Sequence, residues 1–422
     1  QRKNKTVLKY LNEENKYTDD WLRSNNISSD EIFNYYKKSL PKLEESFKNN
    51  IDGYVYYSSI SIGSEHRKYF RNYKGKKKLI LDVNKLAKNK EFYSISGIQP
   101  SRDHRYIAFG EDENGRREYA IVIKDLNKNK IIEKHVCSSA GGIIWNFNSD
   151  GYFYLKKDPK TLITNKLYFH KLGTDIKLDK LIYRESDAEF NLSISLSRTK
   201  KYLFLQISKT ESNEFRFLNL DENEMKLECF QKRSNKHLYY VDDTPEEFFI
   251  LSNQKKKKNF ALYRTNLKNT DIKHWKIYVN HKQDELIEDF LCFKDFIILE
   301  TRKSGTPQLI QINKKTKRKT YIDFDQNAFS VYLANNINYQ ATNFSFVYSS
   351  LSTPATIFSQ NLYSKKRKKV WQQKILTHKQ KNYETKRVLI KARDGVKVPV
   401  SLIYKKGINL KDAPLLLSLI HI

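Results

Sequence analysis

The stretch DGYVYYS (Asp52–Ser58) decides the fold, because versions of it return six times. They are RYIAFG (Arg105–Gly110), GYFYLK (Gly151–Lys156), KYLFLQ (Lys201–Gln206), EFFILS (Glu247–Ser252), DFIILE (Asp295–Glu300) and NFSFVY (Asn343–Tyr348). The leading aromatics, Tyr54, Tyr106, Tyr152, Tyr202, Phe248, Phe296 and Phe344, are separated by 52, 46, 50, 46, 48 and 48 residues. Aromatic and branched residues in a period of two read as strands. A second such run follows each one, as in HRKYFRNY (His66–Tyr73), EYAIVIKDL (Glu118–Leu126) or PQLIQINK (Pro307–Lys314). Turn signals such as Glu113-Asn114-Gly115 and Lys303-Ser304-Gly305 stand between the paired runs. A unit of this length suits a four-stranded antiparallel sheet, which cannot hide both of its faces alone. Radial packing of copies around an axis hides them. The repeat therefore predicts a mainly β fold with a seven-bladed β-propeller over residues 51–380. A β-sandwich array is the rival, but it would show separate domains and linkers, and none appears before residue 370.

The flanks read differently. Residues 7–24 place Val7, Leu8, Leu11, Tyr17, Trp21 and Leu22 on a helical spacing, and residues 28–48 repeat it with Ile32, Tyr35, Leu40, Leu43 and Phe47. Ser29 or Asp30 is the expected cap of the second helix, and Pro41 is expected to break it. Residues 1–50 are thus assigned to an N-terminal helical segment. At the other end, Arg387–Gly407 reads as two alternating strands joined by a type I′ turn at Asp394-Gly395. Ala413–Leu417 then reads as an apolar strand of the parallel-sheet kind. Residues 381–417 are accordingly expected to hold the first strands of an α/β domain, and residues 418–422 a non-native tail.

The formal net charge is +30, with Lys-rich runs at Lys76–Lys78, Lys255–Lys258 and Lys365–Lys369. These runs fall between expected strands and are spread along the chain. They therefore predict a solvated surface and no nucleic-acid partner. Cys137, Cys229 and Cys292 form no CxxC pair and are odd in number, which fits free thiols in a reducing, cytoplasmic setting. No apolar run approaches the length of a membrane helix, so no membrane partner is expected.

Several stretches of this chain resemble the prolyl oligopeptidase family, in particular its oligopeptidase B branch. They are VLKYLNEENKYTDDWL (Val7–Leu22), LILDVNKLAKNKEFYSISG (Leu79–Gly97), GGIIWNFNSDGYFYLKKD (Gly141–Asp158), LYFHKLGT (Leu167–Thr174), EDFLCFKDFIILETRKSG (Glu288–Gly305), YSSLSTPATIF (Tyr348–Phe358) and ARDGVKVPVSLIYKKG (Ala392–Gly407). The resemblance runs from about Val7 to Leu417, and one departure places Arg102 where a Ser-Pro-Asp-like turn would have proline. The likeness implies a propeller lying over an α/β-hydrolase domain, with a channel that admits short peptides and excludes folded proteins. It implies hydrolysis after Arg or Lys by a Ser–His–Asp triad with an oxyanion hole, without metal or organic cofactor. The implied partners are short peptide substrates passing through the channel and the chain's own hydrolase domain.

The nucleophile elbow G-x-S-x-G is nowhere among the 13 glycines, no two of which stand four apart. No catalytic, cofactor-binding or metal-binding residue is therefore assigned within residues 1–422. The resemblance places the triad later in the sequence, so this chain by itself is expected to be inactive. Leu417–Ile422 (LSLIHI) reads as translated sequencing adapter, which removes His421 as a catalytic base. His66, His104, His135, His170, His237, His274, His281 and His378 show no HExxH or Cys–His spacing and are expected on surfaces or hairpins. Gly141-Gly142 lacks a following helix, so it reads as a tight turn between repeats rather than a phosphate loop. Trp145 and the repeated aromatics read as core. A stand-alone propeller serving as a binding scaffold is the alternative function, and the strand pattern at Arg387–Leu417 argues against it.

Overall fold

The computed structural model describes residues 3–222 and 224–418. Helix α1 (Lys5–Ser24) is capped by Asn4, and helix α2 (Ser29–Ser39) is capped by Ser28, whose side chain accepts from the Glu31 amide. The cap thus precedes both expected residues, Ser29 and Asp30, because a cap residue keeps extended backbone while Ser29 is already helical. The helix stops at Leu40, which takes the extended conformation that Pro41 imposes on its neighbour.

All seven repeated aromatic-led strands form, each as the second strand of its repeat. Sheet 1 contains Leu43–Glu45 and Asn49–Ile51, both paired with Tyr54–Ser61, followed by Lys68–Tyr73 and Lys76–Asp82. Sheet 2 runs in sequence order through Ser94–Pro100, Tyr106–Asp112, Tyr119–Asp125, Lys130–Trp145, Gly151–Lys157, Thr164–Lys171 and Lys180–Arg184. Sheets 3 to 6 are four-stranded antiparallel meanders. Sheet 3 spans Asn191 to Gln231, sheet 4 Tyr239 to Val279, sheet 5 Glu285 to Tyr321 and sheet 6 Phe329 to Gln372.

The expectation of seven separate blades is corrected here. Sheets 1, 3, 4, 5 and 6 are five separate blades, whereas the second and third repeats merge into one continuous seven-stranded sheet. The cause is the 16-residue strand Lys130–Trp145, which pairs with Tyr119–Asp125 through its first half and with Gly151–Lys157 through its second. Gly141-Gly142 therefore lies inside a strand and is not a tight turn. A Cβ on Gly97 would stand 2.3 Å from the Gly141 carbonyl oxygen, and one on Gly110 would stand 2.6 Å from Gly141 Cα. Three backbones meet where no side chain intervenes, and this crossing lets the strand pass uninterrupted from one repeat to the next.

The expected opening strands of an α/β-hydrolase sheet are corrected as well. Tyr383–Lys391 and Lys397–Lys405 form an isolated antiparallel hairpin, and Ala413–Leu417 forms no strand. The hairpin turn is not type I′ either. The Gly395 amide donates to the Ala392 carbonyl at 3.0 Å, and Gly395 has φ of +86° while Asp394 keeps negative φ. That is a type I turn followed by a left-handed glycine, since type I′ would need positive φ at two successive residues. A type I′ geometry does occur at Ser304-Gly305, with φ of +48° and +73° between the paired residues Lys303 and Thr306. Of the expected tail at residues 418–422, residues 419–422, including His421, lie outside the described residues.

Apolar side chains fill the spaces between successive sheets. Phe249, Leu251 and Leu262 of sheet 4 pack on Ile287, Ile297 and Leu299 of sheet 5, and Phe204 and Phe215 of sheet 3 pack on Phe248 and Ile250 of sheet 4. Among the described residues no such cluster joins sheet 6 to sheet 1, and these two sheets share no strand. A hydrogen bond from the Trp371 indole to the Glu45 carbonyl (2.8 Å) bridges this seam. Cys137 and Cys292 are buried free thiols, and Cys229 is half-buried. No described helix is long and apolar enough to cross a membrane.

Candidate functional site

Antiparallel meanders put every turn between first and second strands at one end of the sheets, and every turn between second and third strands at the other. The first strands face a central cavity of about 680 Å³ whose lining includes His104, Arg198, Asp242, Asp289 and Asn336. Its polar residues are concentrated in the first of these two sets of turns, and long side chains cross the axis there.

Arg198 is the main crossing. It sits in the first turn of sheet 3, is buried, and its backbone amide donates to Asp242 Oδ1 of sheet 4 (2.8 Å). Its guanidinium passes over sheet 4 and donates to the Cys292 carbonyl of sheet 5 (Nε–O 2.8 Å). It also donates to the carbonyls of Asn336 and Asn338 (the latter at 3.1 Å) in the first turn of sheet 6, and rests over the Phe293 ring. Arg102, at the position where the related turn would have proline, donates from its guanidinium to the Lys200 carbonyl. Lys200 Nζ in turn pairs with Asp52 of sheet 1 at 3.0 Å. His104 lies 2.9 Å from the Tyr56 hydroxyl through Nδ1 and stacks on Tyr54, with burial lowering its pKa against the attraction of Asp52. Charged side chains from non-adjacent sheets thus latch this end of the channel.

The channel also holds carboxyls that resist ionisation. Burial, reinforced by the neighbouring Asp243, pushes Asp242 up to about 7, and burial likewise raises Asp289. Asp242 keeps its proton in the folded chain up to near neutral pH but loses it near pH ~4 when unfolded. Between those values the folded state binds more protons, so stability falls as pH rises through that interval. We expect Asp242→Asn to melt at higher temperature than the wild type at pH 8, with the gap narrowing steadily towards pH 4. Thermal melts across that range test this; a constant gap would contradict it.

The opposite end carries the chain's return. His378 Nε2 contacts the Ser352 carbonyl (2.6 Å), Ser39 Oγ meets Thr377 Oγ1 (2.6 Å), and Arg387 Nη2 donates to the Ser304 carbonyl (2.6 Å). Ser304 and Ser352 lie in turns between second and third strands, so the terminal hairpin sits over the end away from the Arg198 latch.

Sequence reasoning assigned no site residue; His104 lies in a hairpin turn as expected but is buried there, and His170 and His237, expected on surfaces or hairpins, are buried as well. Burial of an imidazole needs a partner, and each partner comes from a different strand or turn, which spacing alone does not reveal. Among the described residues, the one hydrogen bond between serine and histidine side chains joins His237 Nε2 to Ser252 Oγ at 3.0 Å. Ser252 is fully buried and, among the described residues, no carboxylate orients the imidazole, so this pair has neither access nor the third member that nucleophilic catalysis uses.

A family model described as the prolyl oligopeptidase N-terminal β-propeller domain matches residues 1–374. The dipeptidyl aminopeptidase BI of Pseudoxanthomonas mexicana is 28% identical over 96% of this chain and 59% of its own length. Protease 2 of Moraxella lacunata is 26% identical over 99% of this chain and 61% of its own length. The solved structure of oligopeptidase B from Leishmania major superposes with a TM-score of 0.89 at 24% identity, over 97% of this chain and 60% of that one, which shows a shared fold. The chain therefore spans about three fifths of the length of these relatives. With a channel built from repeated antiparallel sheets and a family match over most of its length, this chain belongs to the prolyl oligopeptidase family of peptidases, whose N-terminal β-propeller domain it contains.

Proposed function

We propose that this chain is the substrate-gating propeller of a cytoplasmic serine oligopeptidase that hydrolyses short peptides after Arg or Lys. The observation that carries this reading is the state of the two flanks. α1 and α2 bury no residue, and Val7, Leu8, Leu11, Trp21, Ile32 and Phe33 are all exposed. The terminal hairpin likewise exposes Leu389, Ile390, Val396, Val398 and Ile403. Both flanks meet at Ser39 and Thr377, at the channel end away from the latch. Apolar stripes of this extent are built to be covered, and a hydrolase domain joined after the hairpin would cover both while facing the open channel. The latch at the far end would then hold back folded proteins and large peptides. A stand-alone scaffold has no use for paired bare flanks on one end of its channel.

Short fluorogenic peptides with Arg, Lys or Pro before the scissile bond provide the test. The 422-residue chain alone should give no turnover above a buffer control. The chain extended by its downstream coding sequence should cleave the Arg and Lys peptides at least ~10-fold faster than the Pro peptide. Turnover by the 422-residue chain, or a Pro preference in the extended one, would overturn the proposal.

A further inference from the structure

Away from the channel, in the merged sheet, Glu133, His135 and His170 bring one carboxylate oxygen and two imidazole nitrogens within 4.8 Å of one another. Glu133 and His135 are two positions apart on the strand Lys130–Trp145, so their side chains share a face. That face turns toward Thr164–Lys171 of the next repeat, which contributes His170. Glu133 Oε2 lies 3.4 Å from His135 Nε2 and 3.4 Å from His170 Nε2. Two ligands held ~2.0–2.1 Å from a tetrahedral ion stand about 3.3–3.4 Å apart, so both spacings match a tetrahedral edge.

The surroundings point to a ligand independently. His170 is fully buried, and its Nε2 has no hydrogen-bond partner among the described residues. Its other nitrogen, Nδ1, lies 2.6 Å from Asp179 Oδ1, and the other oxygen of Asp179 accepts from the Tyr154 hydroxyl at 2.7 Å. A carboxylate on the far nitrogen orients an imidazole and directs the remaining lone pair at a metal. Glu133 is itself held by the Gly173 amide. His135 and Glu133 retain slight exposure, with side chains 15% and 10% accessible, so the cluster can be reached from solvent.

We infer that Glu133, His135 and His170 form a binding site for a divalent transition-metal ion of the zinc type, with Asp179 as the orienting carboxylate. Two imidazoles with one carboxylate and an open position suit zinc and disfavour calcium or magnesium, which prefer all-oxygen shells. The ion would join the outer edge of the second repeat to the third, where the two share a single sheet. Protons compete for the same nitrogens, so affinity should weaken as pH falls.

Calorimetric titration of the chelator-treated 422-residue chain with zinc chloride tests the site, with thermal melting as a second readout. The wild type should take up one equivalent and melt at higher temperature with zinc present. Cobalt(II) should give the visible bands of a four-coordinate site. His135→Ala, which removes a partly accessible ligand, should lose at least 10-fold in affinity and the zinc-dependent rise in melting. Asp179→Asn should weaken binding by ~10–100-fold. His274→Ala, on an exposed histidine, should change nothing. Should His170→Ala fail to fold, His135→Ala and Glu133→Gln still decide the matter. Absence of zinc uptake by the wild type, or equal uptake by folded His135→Ala, would overturn the assignment.

Discussion

Arg198→Ala should destabilise the chain by about 3–5 kcal/mol, the largest loss expected from any side chain at the channel. The guanidinium serves the carbonyls of Cys292, Asn336 and Asn338, contributed by two sheets, and none of these bonds is replaced when the side chain is cut back. Charge-assisted bonds of this kind contribute about 1.5–3 kcal/mol each, and buried carbonyls left without a donor add a desolvation cost. Lysine should not rescue it, because one ammonium cannot span acceptors that the planar fork reaches together. Arg102→Ala provides the comparison. That guanidinium makes a single cross-channel bond, to the Lys200 carbonyl, and its loss should cost about 1 kcal/mol. Thermal and urea unfolding of the two variants measure the difference. Limited proteolysis should in addition show new cleavage in residues 335–342 of Arg198→Ala, since that turn loses its tether. Equal stability of the two variants would mean that Arg198 does not hold sheets 3, 5 and 6 together.

The second large effect is expected at the glycine crossing. Gly110→Ala places a methyl 2.6 Å from Gly141 Cα, against backbone rather than the end of a flexible side chain. Gly110 is held in register by Ser96 on one side and Ile121 on the other, so the added methyl must be accommodated by shifting backbone, and a cost of about 3 kcal/mol follows. Gly97→Ala should be worse, since φ of +61° adds strain to a contact of 2.3 Å. Gly142→Ala is the control. It adjoins the same crossing but has ordinary φ and nothing within 4 Å of the added methyl. It should be neutral or stabilising by up to about 1 kcal/mol through the unfolded chain. Melting temperatures of the three variants distinguish a backbone crossing from a generic intolerance of alanine in strands. A destabilised Gly142→Ala beside a tolerated Gly110→Ala would refute the crossing as the reason that two repeats merge.

Much of this molecule was legible in the sequence because its strands are local events. Tyr54, Tyr106, Tyr152, Tyr202, Phe248, Phe296 and Phe344 each lead a run of aromatic and branched residues, and each run forms a strand, most of them buried on both faces. The Ser304-Gly305 turn was legible for the same reason, since backbone preference there outweighs distant contacts. Asp394-Gly395 misled because a left-handed glycine occurs in both turn types, and the five residues between the paired Lys391 and Lys397 select the one in which Asp394 keeps negative φ. The channel latch was not legible, since Arg198 meets its acceptors across 94 to 140 residues of chain. The histidine cluster was half legible. Glu133 and His135 on one face of a strand are visible in the alternation, but His170 joins them only through the packing of the next repeat.

By itself the sequence determined a mainly β chain of repeated antiparallel strands, with amphipathic flanks, free thiols and family membership. Those properties follow from residue preference and period, which act within a few positions. The tertiary structure decided how the repeats divide into sheets, which side chains close the channel, and where Glu133, His135 and His170 converge. These depend on whether two backbones can touch and whether a buried charge finds acceptors, and such conditions exist only once distant segments are packed together.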